Sequence, residues 1–470
     1  MALSQLNRMT AVELARDIAA RKLSPVEVVE ASLRRIEETE PRLNAFVQVD
    51  ANGAMAAAHR AESDVMGGKP LGPLHGVPVS VKDLIDVQGL KATYGSLTLK
   101  DSIAPADAPS VERLRAAGAI VIGKTTTSEF GYRGYTKSLV HGNTRNPWDL
   151  GRTPGGSSGG AVASVAAGVS AIALGTDGGG SIRAPCSLTG LVGIKANFSR
   201  IPVWPASATA TLAHVGPITR TVDDAALLLS VCAGPDPRDA FSLMQAIGEP
   251  PKPEEVRGLR VAFSPTLGYA RVEAPVAAAV AAAVDKLRVA FPSIELVEHV
   301  CPDQGEILAA EFIGGCSARL GDVVDTGPDL IDPPLLAAIR AFRATATDRF
   351  TRLLRRRLQH REAMRQFFAR YDLLLTPATP CTAWDIERGL PPGHENAIVW
   401  SYFTYPFNLT GQPAGSLPCG LGPDGLPIGL QLVAPLCGEA RLVGAMRAAE
   451  AILGTACPTP IEPRAEGSHP

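Results

Sequence analysis

Between residues 153 and 185 the chain reads TPGGSSGGAVASVAAGVSAIALGTDGGGSIRAP, two glycine- and serine-rich stretches bracketing a run of small apolar residues. Glycine lets a backbone bend sharply and lets other groups approach it closely. A flexible linker lacks apolar density, whereas GGAVASVAAGVSAIALG is apolar enough to be buried. The segment therefore reads as a buried helix and strand flanked by tight turns. Two chemistries suit such turns. One is a main-chain cradle for phosphate, the other an array of N–H groups aimed at a developing oxyanion.

The phosphate reading has a literal candidate elsewhere, because GAIVIGKT (Gly118–Thr125) satisfies the pattern GxxxxGK[ST]. That motif works as an open loop. Here the four residues after Gly118 are Ala-Ile-Val-Ile, a β-branched run suited to a buried strand, so the match reads as a strand end. The oxyanion reading uses more of the parts. TDGGGS places glycine amides immediately before Ser181, where a hydroxyl is well placed as a nucleophile. Such a serine needs a base, and no histidine is near either turn. A lysine serves if burial disfavours its ammonium form. Lys82, at the end of the apolar strand-like segment GVPVSV, is the candidate; the alternative for it is an ordinary lysine at a strand end.

The rest of the chain is organised to bury a large core, with 46% hydrophobic residues in 470. Helix–strand–loop order recurs, which predicts an α/β architecture. Ser24, Pro25 and Glu27 predict a capped helix start. Residues 1–235 carry the lysine segment and the Gly/Ser turns, 236–370 are mostly helical and more variable in texture, and 371–470 return to strands; all are read as one domain. The run Arg355–Arg357 reads as a solvated helix face. The closing residues 460–470 read as loose. A net charge of −2 provides no broad basic field for nucleic acid. There is no N-terminal apolar leader and no apolar run of about 18 residues, so a membrane partner is not expected. Eight cysteines without a CxxC pair fit reduced thiols and a cytoplasmic protein, and scattered histidines without HExxH give no metal site.

Taken together, GGSSGG (155–160), GTDGGGSIRAP (175–185) and GLVGIKANFSRIP (190–202) resemble the signature of the amidase signature family of serine hydrolases. GVPVSVKD, GKTTTSEF, TRNPWD, DLLLTPATP and DGLPIGLQLVAP are similar to its flanking segments, and the likeness spans roughly residues 8–455, looser over 236–370. The resemblance implies a central mixed β-sheet covered by helices on both faces and a Ser–cisSer–Lys triad. Its lysine falls on Lys82, its bridging serine on Ser157 and its nucleophile on Ser181, with a cis Gly156–Ser157 peptide. It implies an oxyanion hole from Gly178, Gly179 and Gly180, completed by the Ser181 amide. Asp177 and Arg183 fall on loop-supporting positions, and Gly131 on a position lining the acyl pocket. Ser158 reads as a helix-start hydroxyl. After Lys195 the family's usual GxKPTxGR gives way to Ala196-Asn197-Phe198-Ser199-Arg200.

The implied activity is hydrolysis of small, largely apolar amides, including aryl amides, anilides and carbamates, with no cofactor, in a monomer or homodimer. Residues 305–370 and the aromatic run 400–413 are candidate pocket walls. Two alternatives stand beside it. One is the glutamine-hydrolysing component of a tRNA-dependent amidotransferase, its A chain; the other is a non-catalytic subunit on the same fold.

Overall fold

A computed structural model describes residues 3–391, 399–454, 462–465 and 467. Among these residues, eleven strands form one sheet: β1 (Phe46–Val49), β2 (Pro78–Lys82), β3 (Ile120–Thr125), β4 (Ile172–Thr176), β5 (Val192–Lys195), β6 (Val215–Thr219), β7 (Val261–Phe263), β8 (Ile294–Leu296), β9 (Leu373–Pro377), β10 (Ala414–Leu421) and β11 (Pro427–Val433). Their order is β1-β3-β2-β4-β6-β5-β10-β11-β9-β7-β8. β3, β2 and β4 run parallel, as do β9, β7 and β8, and the pairings between those two groups are antiparallel. This is the mixed α/β sheet, flanked by helices on both faces, that the resemblance implies.

Local sequence accounts for most elements. β2 and β3 are buried at every position, which suits their β-branched residues. The helix Pro25–Leu43 starts as Ser24 predicts: its side chain accepts from the Val26 N–H, and Glu27 closes the capping box. The Ala-rich helix Ala274–Leu287 buries Val276, Val280, Val284 and Leu287, one stripe at helical spacing. The GAIVIGKT match is indeed strand, and its Lys124 ammonium is fully buried against Asp83 at 3.0 Å.

Residues 236–370 are mostly helical, with the helices Gly305–Leu320, Pro333–Arg343 and Thr347–Arg370, and the short strands β7 and β8 extend the sheet there. One expectation needs correction. The arginine run is only partly a solvated face. Arg355 and Arg356 are exposed, but Arg357 turns inward, pairs with Glu311 and donates to the carbonyls of Leu409 (2.8 Å) and Thr211 (3.1 Å). Much of the stretch 460–470 lies outside the described residues, as does Cys457. No helix among the described residues is long and apolar enough to cross a membrane.

Candidate active site

β2 and β4 are parallel neighbours, and the chain leaves both at the same end of the sheet, where α/β folds place their ligands. Lys82 is the last residue of β2, and β4 runs directly into Asp177-Gly178-Gly179-Gly180-Ser181. The 155–158 turn approaches from the side and enters the helix Gly159–Ala166. Three segments far apart in sequence thus converge because two strands pair and one helix packs behind them.

Lys82 Nζ lies 2.8 Å from Ser157 Oγ and 2.9 Å from Ser158 Oγ, with no solvent exposure. Burial drives its pKa well below that of a free lysine, and the negative charge of Asp177 pulls the other way without prevailing. A neutral amine beside a hydroxyl can accept a proton. The Gly156–Ser157 peptide is cis, as the resemblance implies. Ser157 and Ser181 line one cavity of about 70 Å³, and Ser181 Oγ makes no hydrogen bond within the described residues.

The glycine turn is held rigidly. Asp177 is fully buried and receives Arg183 bidentately, Nε to Oδ2 at 3.0 Å and Nη2 to Oδ1 at 2.9 Å. Burial pushes this carboxyl up, but the Arg183 guanidinium, aided by Lys195 and Asn408, more than offsets it and holds Asp177 below the usual carboxylate range. Arg183 also donates to the Thr404 carbonyl (2.9 Å), to Gln431 Oε1 (2.8 Å) and to Asn408 Oδ1 (2.6 Å), so its five donors are saturated. The main chains of Asp177 and His214 exchange two hydrogen bonds, of 2.8 and 3.1 Å.

One of the predicted oxyanion donors is corrected by this geometry. The Gly180 N–H donates to Asp177 Oδ1 at 2.7 Å, so it faces away from any bound carbonyl. The amides of Gly178, Gly179 and Ser181 have no partner within the described residues and remain available. Gly180 has another duty. Its φ of 138° and a close approach to Thr404, whose Oγ1 would sit 2.1 Å from an added Cβ, exclude any side chain there. Thr404 Oγ1 in turn donates to the Gly179 carbonyl at 2.7 Å, fixing the turn from below.

Ser158 also departs from expectation. It occupies the N-cap position of Gly159–Ala166, yet its hydroxyl caps nothing; it lies against Lys82 and donates to the Thr176 carbonyl at 3.1 Å. Gly131, at φ 75°, lies where an added Cβ would stand 3.0 Å from Ser157 Oγ. It lines both the small cavity and a larger one of about 410 Å³ that also reaches Ser181. The larger cavity is walled by Leu308, Phe312, Ile313 and Ala338 from the helical region, as expected of 305–370. Of the aromatic run, Trp400 lines this cavity, while Phe403, Tyr405, Phe407 and Leu409 are buried in the core. The departure after Lys195 is a turn with Ser199 at φ 57°, anchored by Glu439 to Arg200 at 2.8 Å and to the Asn197 N–H at 3.1 Å.

With this geometry in place, comparison with known proteins decides the family: the Amidase profile matches residues 27–443. The chain belongs to the amidase signature family. It is 37% identical to the A chain of a glutamyl-tRNA(Gln) amidotransferase from Acidothermus cellulolyticus, over 96% of this chain and 95% of that one. It is 36% identical to an acylamidase of Rhodococcus erythropolis, covering 91% and 92%. A crystallised bacterial aryl acylamidase superposes with a TM-score of 0.88 at 28% identity, covering 95% and 97%. The fold is that of a catalytic amidase, consistent with hydrolase activity.

Asn408, Thr404, Gln431 and Ser158 complete this site, and sequence reasoning does not reach their roles. Only the Asn in YPFNLTGQ stands out as a polar residue in an apolar run, and nothing in the spacing ties it to Asp177, which it meets at 2.9 Å.

Proposed function

We propose that this amidase hydrolyses small, largely apolar amides through an acyl-enzyme on Ser181. The observation that carries the reading is the environment of Lys82: a buried amine with hydroxyl partners and, among the described residues, no carboxylate in hydrogen-bonding contact, 2.8 Å from a serine that shares a cavity with Ser181. As Ser181 Oγ bonds to the carbonyl carbon, its proton passes to Ser157, and the Ser157 proton passes to Lys82 Nζ. The carbonyl π pair moves onto oxygen, where the amides of Gly178, Gly179 and Ser181 meet it, each such donor being worth about 3 kcal/mol of barrier. Collapse breaks the C–N bond; the nitrogen leaves with the bonding pair and takes a proton from Ser157, which Lys82 reprotonates. Water then releases the acyl group as a carboxylic acid and restores the Ser181 hydroxyl. A fluorophosphonate probe is expected to label the wild type and not Ser181→Ala; equal labelling of both defeats the assignment of Ser181, and labelling of neither favours a non-catalytic subunit.

A second reading, the glutamine-hydrolysing component of an amidotransferase, is supported by the sequence relatives, where such chains recur. The cavity supports the first. No carboxylate lines its described wall to meet the α-ammonium of glutamine; of its two arginines, Arg133 is paired with Asp332, and Arg388 makes no side-chain hydrogen bond or ion pair among the described residues. Glutaminase activity that requires added partner subunits, with no turnover of apolar amides by the isolated chain, would decide for the second reading.

A further inference from the structure

Ser181 stands where two very unequal cavities meet. They share Ser181, Gly131 and Phe312. The smaller, about 70 Å³, contains Ser157 and Gly178 and is bordered by Leu84 and Val203. The larger, about 410 Å³, contains Gly179 and is walled by Leu308, Ala338 and Trp400; Ser157 does not line it. A carbonyl carbon on Ser181 therefore sends one substituent into each. Because Gly178 lines one cavity and Gly179 the other, the developing oxyanion lies between them.

Which substituent goes where follows from the proton. The leaving nitrogen must take its proton from Ser157, so it lies on the Ser157 side, in the smaller cavity. A cavity that admits benzene has about 150 Å³. The Ser157 side offers less than half of that, too little to enclose an aniline, but enough for ammonia or methylamine. The other side exceeds it more than twofold and is largely apolar. We propose that the substrates are amides with a bulky apolar acyl group and an unsubstituted or N-methyl nitrogen, so that the enzyme releases ammonia or methylamine. Aromatic rings, which the family resemblance suggests as anilides, then belong on the acyl side. This inference rests on Ser181 as nucleophile and Ser157 as proton donor.

The test uses the purified wild-type enzyme with Ser181→Ala as control, measuring the released amine. With 3-phenylpropanoyl as the fixed acyl group, the primary amide, N-methylamide and anilide are compared; with a primary amide nitrogen fixed, acetyl is compared with 3-phenylpropanoyl. The expected results are a fall in kcat/KM of at least about tenfold from primary amide to anilide, although aniline is the better leaving group, and a rise of at least about tenfold from acetyl to 3-phenylpropanoyl. A smaller fall, an inversion in the amine series, or no gain with the larger acyl group overturns the partition while leaving the amidase reading intact. No Ser181-dependent release from any compound overturns the amidase reading itself, and the partition with it.

Discussion

Lys82 and Lys124 occupy adjacent parallel strands, with Lys82 level with Thr125 and Lys124 level with Val81, and neither is exposed. Side chains alternate along a strand, so the two lysine side chains leave opposite faces of the same sheet. Lys124 meets Asp83 at 3.0 Å and the Lys91 carbonyl at 2.9 Å. Lys82 meets two serine hydroxyls. Burial is equal; the partners are not. A carboxylate compensates a buried cation and holds the sheet together. Hydroxyls do not compensate it, so burial favours the neutral amine, the form the proposed mechanism needs. The difference teaches that burial alone does not make a lysine reactive; burial without a counter-charge does.

Replacing each lysine by Met separates the two roles most sharply. Lys82→Met is expected to lower kcat by about 10²–10⁴-fold, the usual range for a positioned general base, while the urea midpoint stays put or rises. Lys124→Met strands the Asp83 carboxylate in the interior and is expected to cost about 3–5 kcal/mol of stability, with kcat per folded molecule largely kept. Adding Asp83→Asn to Lys124→Met is expected to recover part of that loss. Activity assays and urea unfolding on the three variants are the measurement. Equal effects of the two single variants on kcat would dissolve the contrast.

The pH profile probes the same difference. Lys82 must be neutral to act, and its folded-state pKa is lowered by burial. Log kcat/KM is therefore expected to rise by about one unit per pH unit below that pKa and to level off well under the value of about 10.4 for a free lysine. The stability consequence has a definite sign. As pH falls below the unfolded value, the unfolded chain gains a proton on Lys82 that the folded chain refuses until its own lower pKa is reached, so stability is lost in that window. This is why Lys82→Met is not expected to destabilise the protein near neutrality. A profile flat from pH 6 to 9 with chemistry rate-limiting would remove Lys82 from the reaction.

How much of the molecule is legible in its sequence depends on whether the cause is local. The β-branched runs at 78–82 and 120–125 and the Ser24-Pro25-Glu27 start are local signals, and they yield strands and a capped helix where expected. The glycine turn and the strand end GVPVSVK point to Ser181 and Lys82, and the family resemblance adds Ser157; Lys82 meets Ser157, which shares a cavity with Ser181. Features set by tertiary partners are out of reach. Arg357 differs from Arg355 and Arg356 only in facing Glu311 and the Thr211 loop. The Gly180 N–H is turned by a carboxylate three residues earlier, at a φ that no glycine count reveals. The strand β8, at the edge of the sheet, is three residues long, too short for an alternation to register.

Gly131 tests how tightly the reactive side is built. An alanine there would be strained at φ 75° and would crowd Ser157 Oγ at 3.0 Å and the Leu84 side chain at 3.1 Å. Gly131→Ala is expected to reduce kcat/KM about tenfold, in line with the roughly 1–3 kcal/mol such strain costs. The loss should appear mainly in kcat if the Ser157 hydroxyl is what moves. A loss confined to KM would mean that Gly131 shapes only the acyl cavity.

The gentlest probe removes one of the two hydroxyls that distinguish Lys82 from Lys124. Ser158 Oγ–H donates to the Thr176 carbonyl, so its lone pair faces Lys82 and favours the ammonium form. Ser158→Ala deletes that acceptor. The Lys82 pKa should fall further, moving the ascending limb toward lower pH, while the less tightly held amine lowers the plateau by a factor of about three to ten. Two opposing changes from one substitution make this a demanding test, because a residue that merely packs would lower the plateau without moving the limb. A limb that shifted toward higher pH would mean that Ser158 instead donates to a neutral amine, and the hydrogen-bond direction assigned between them would have to be reversed.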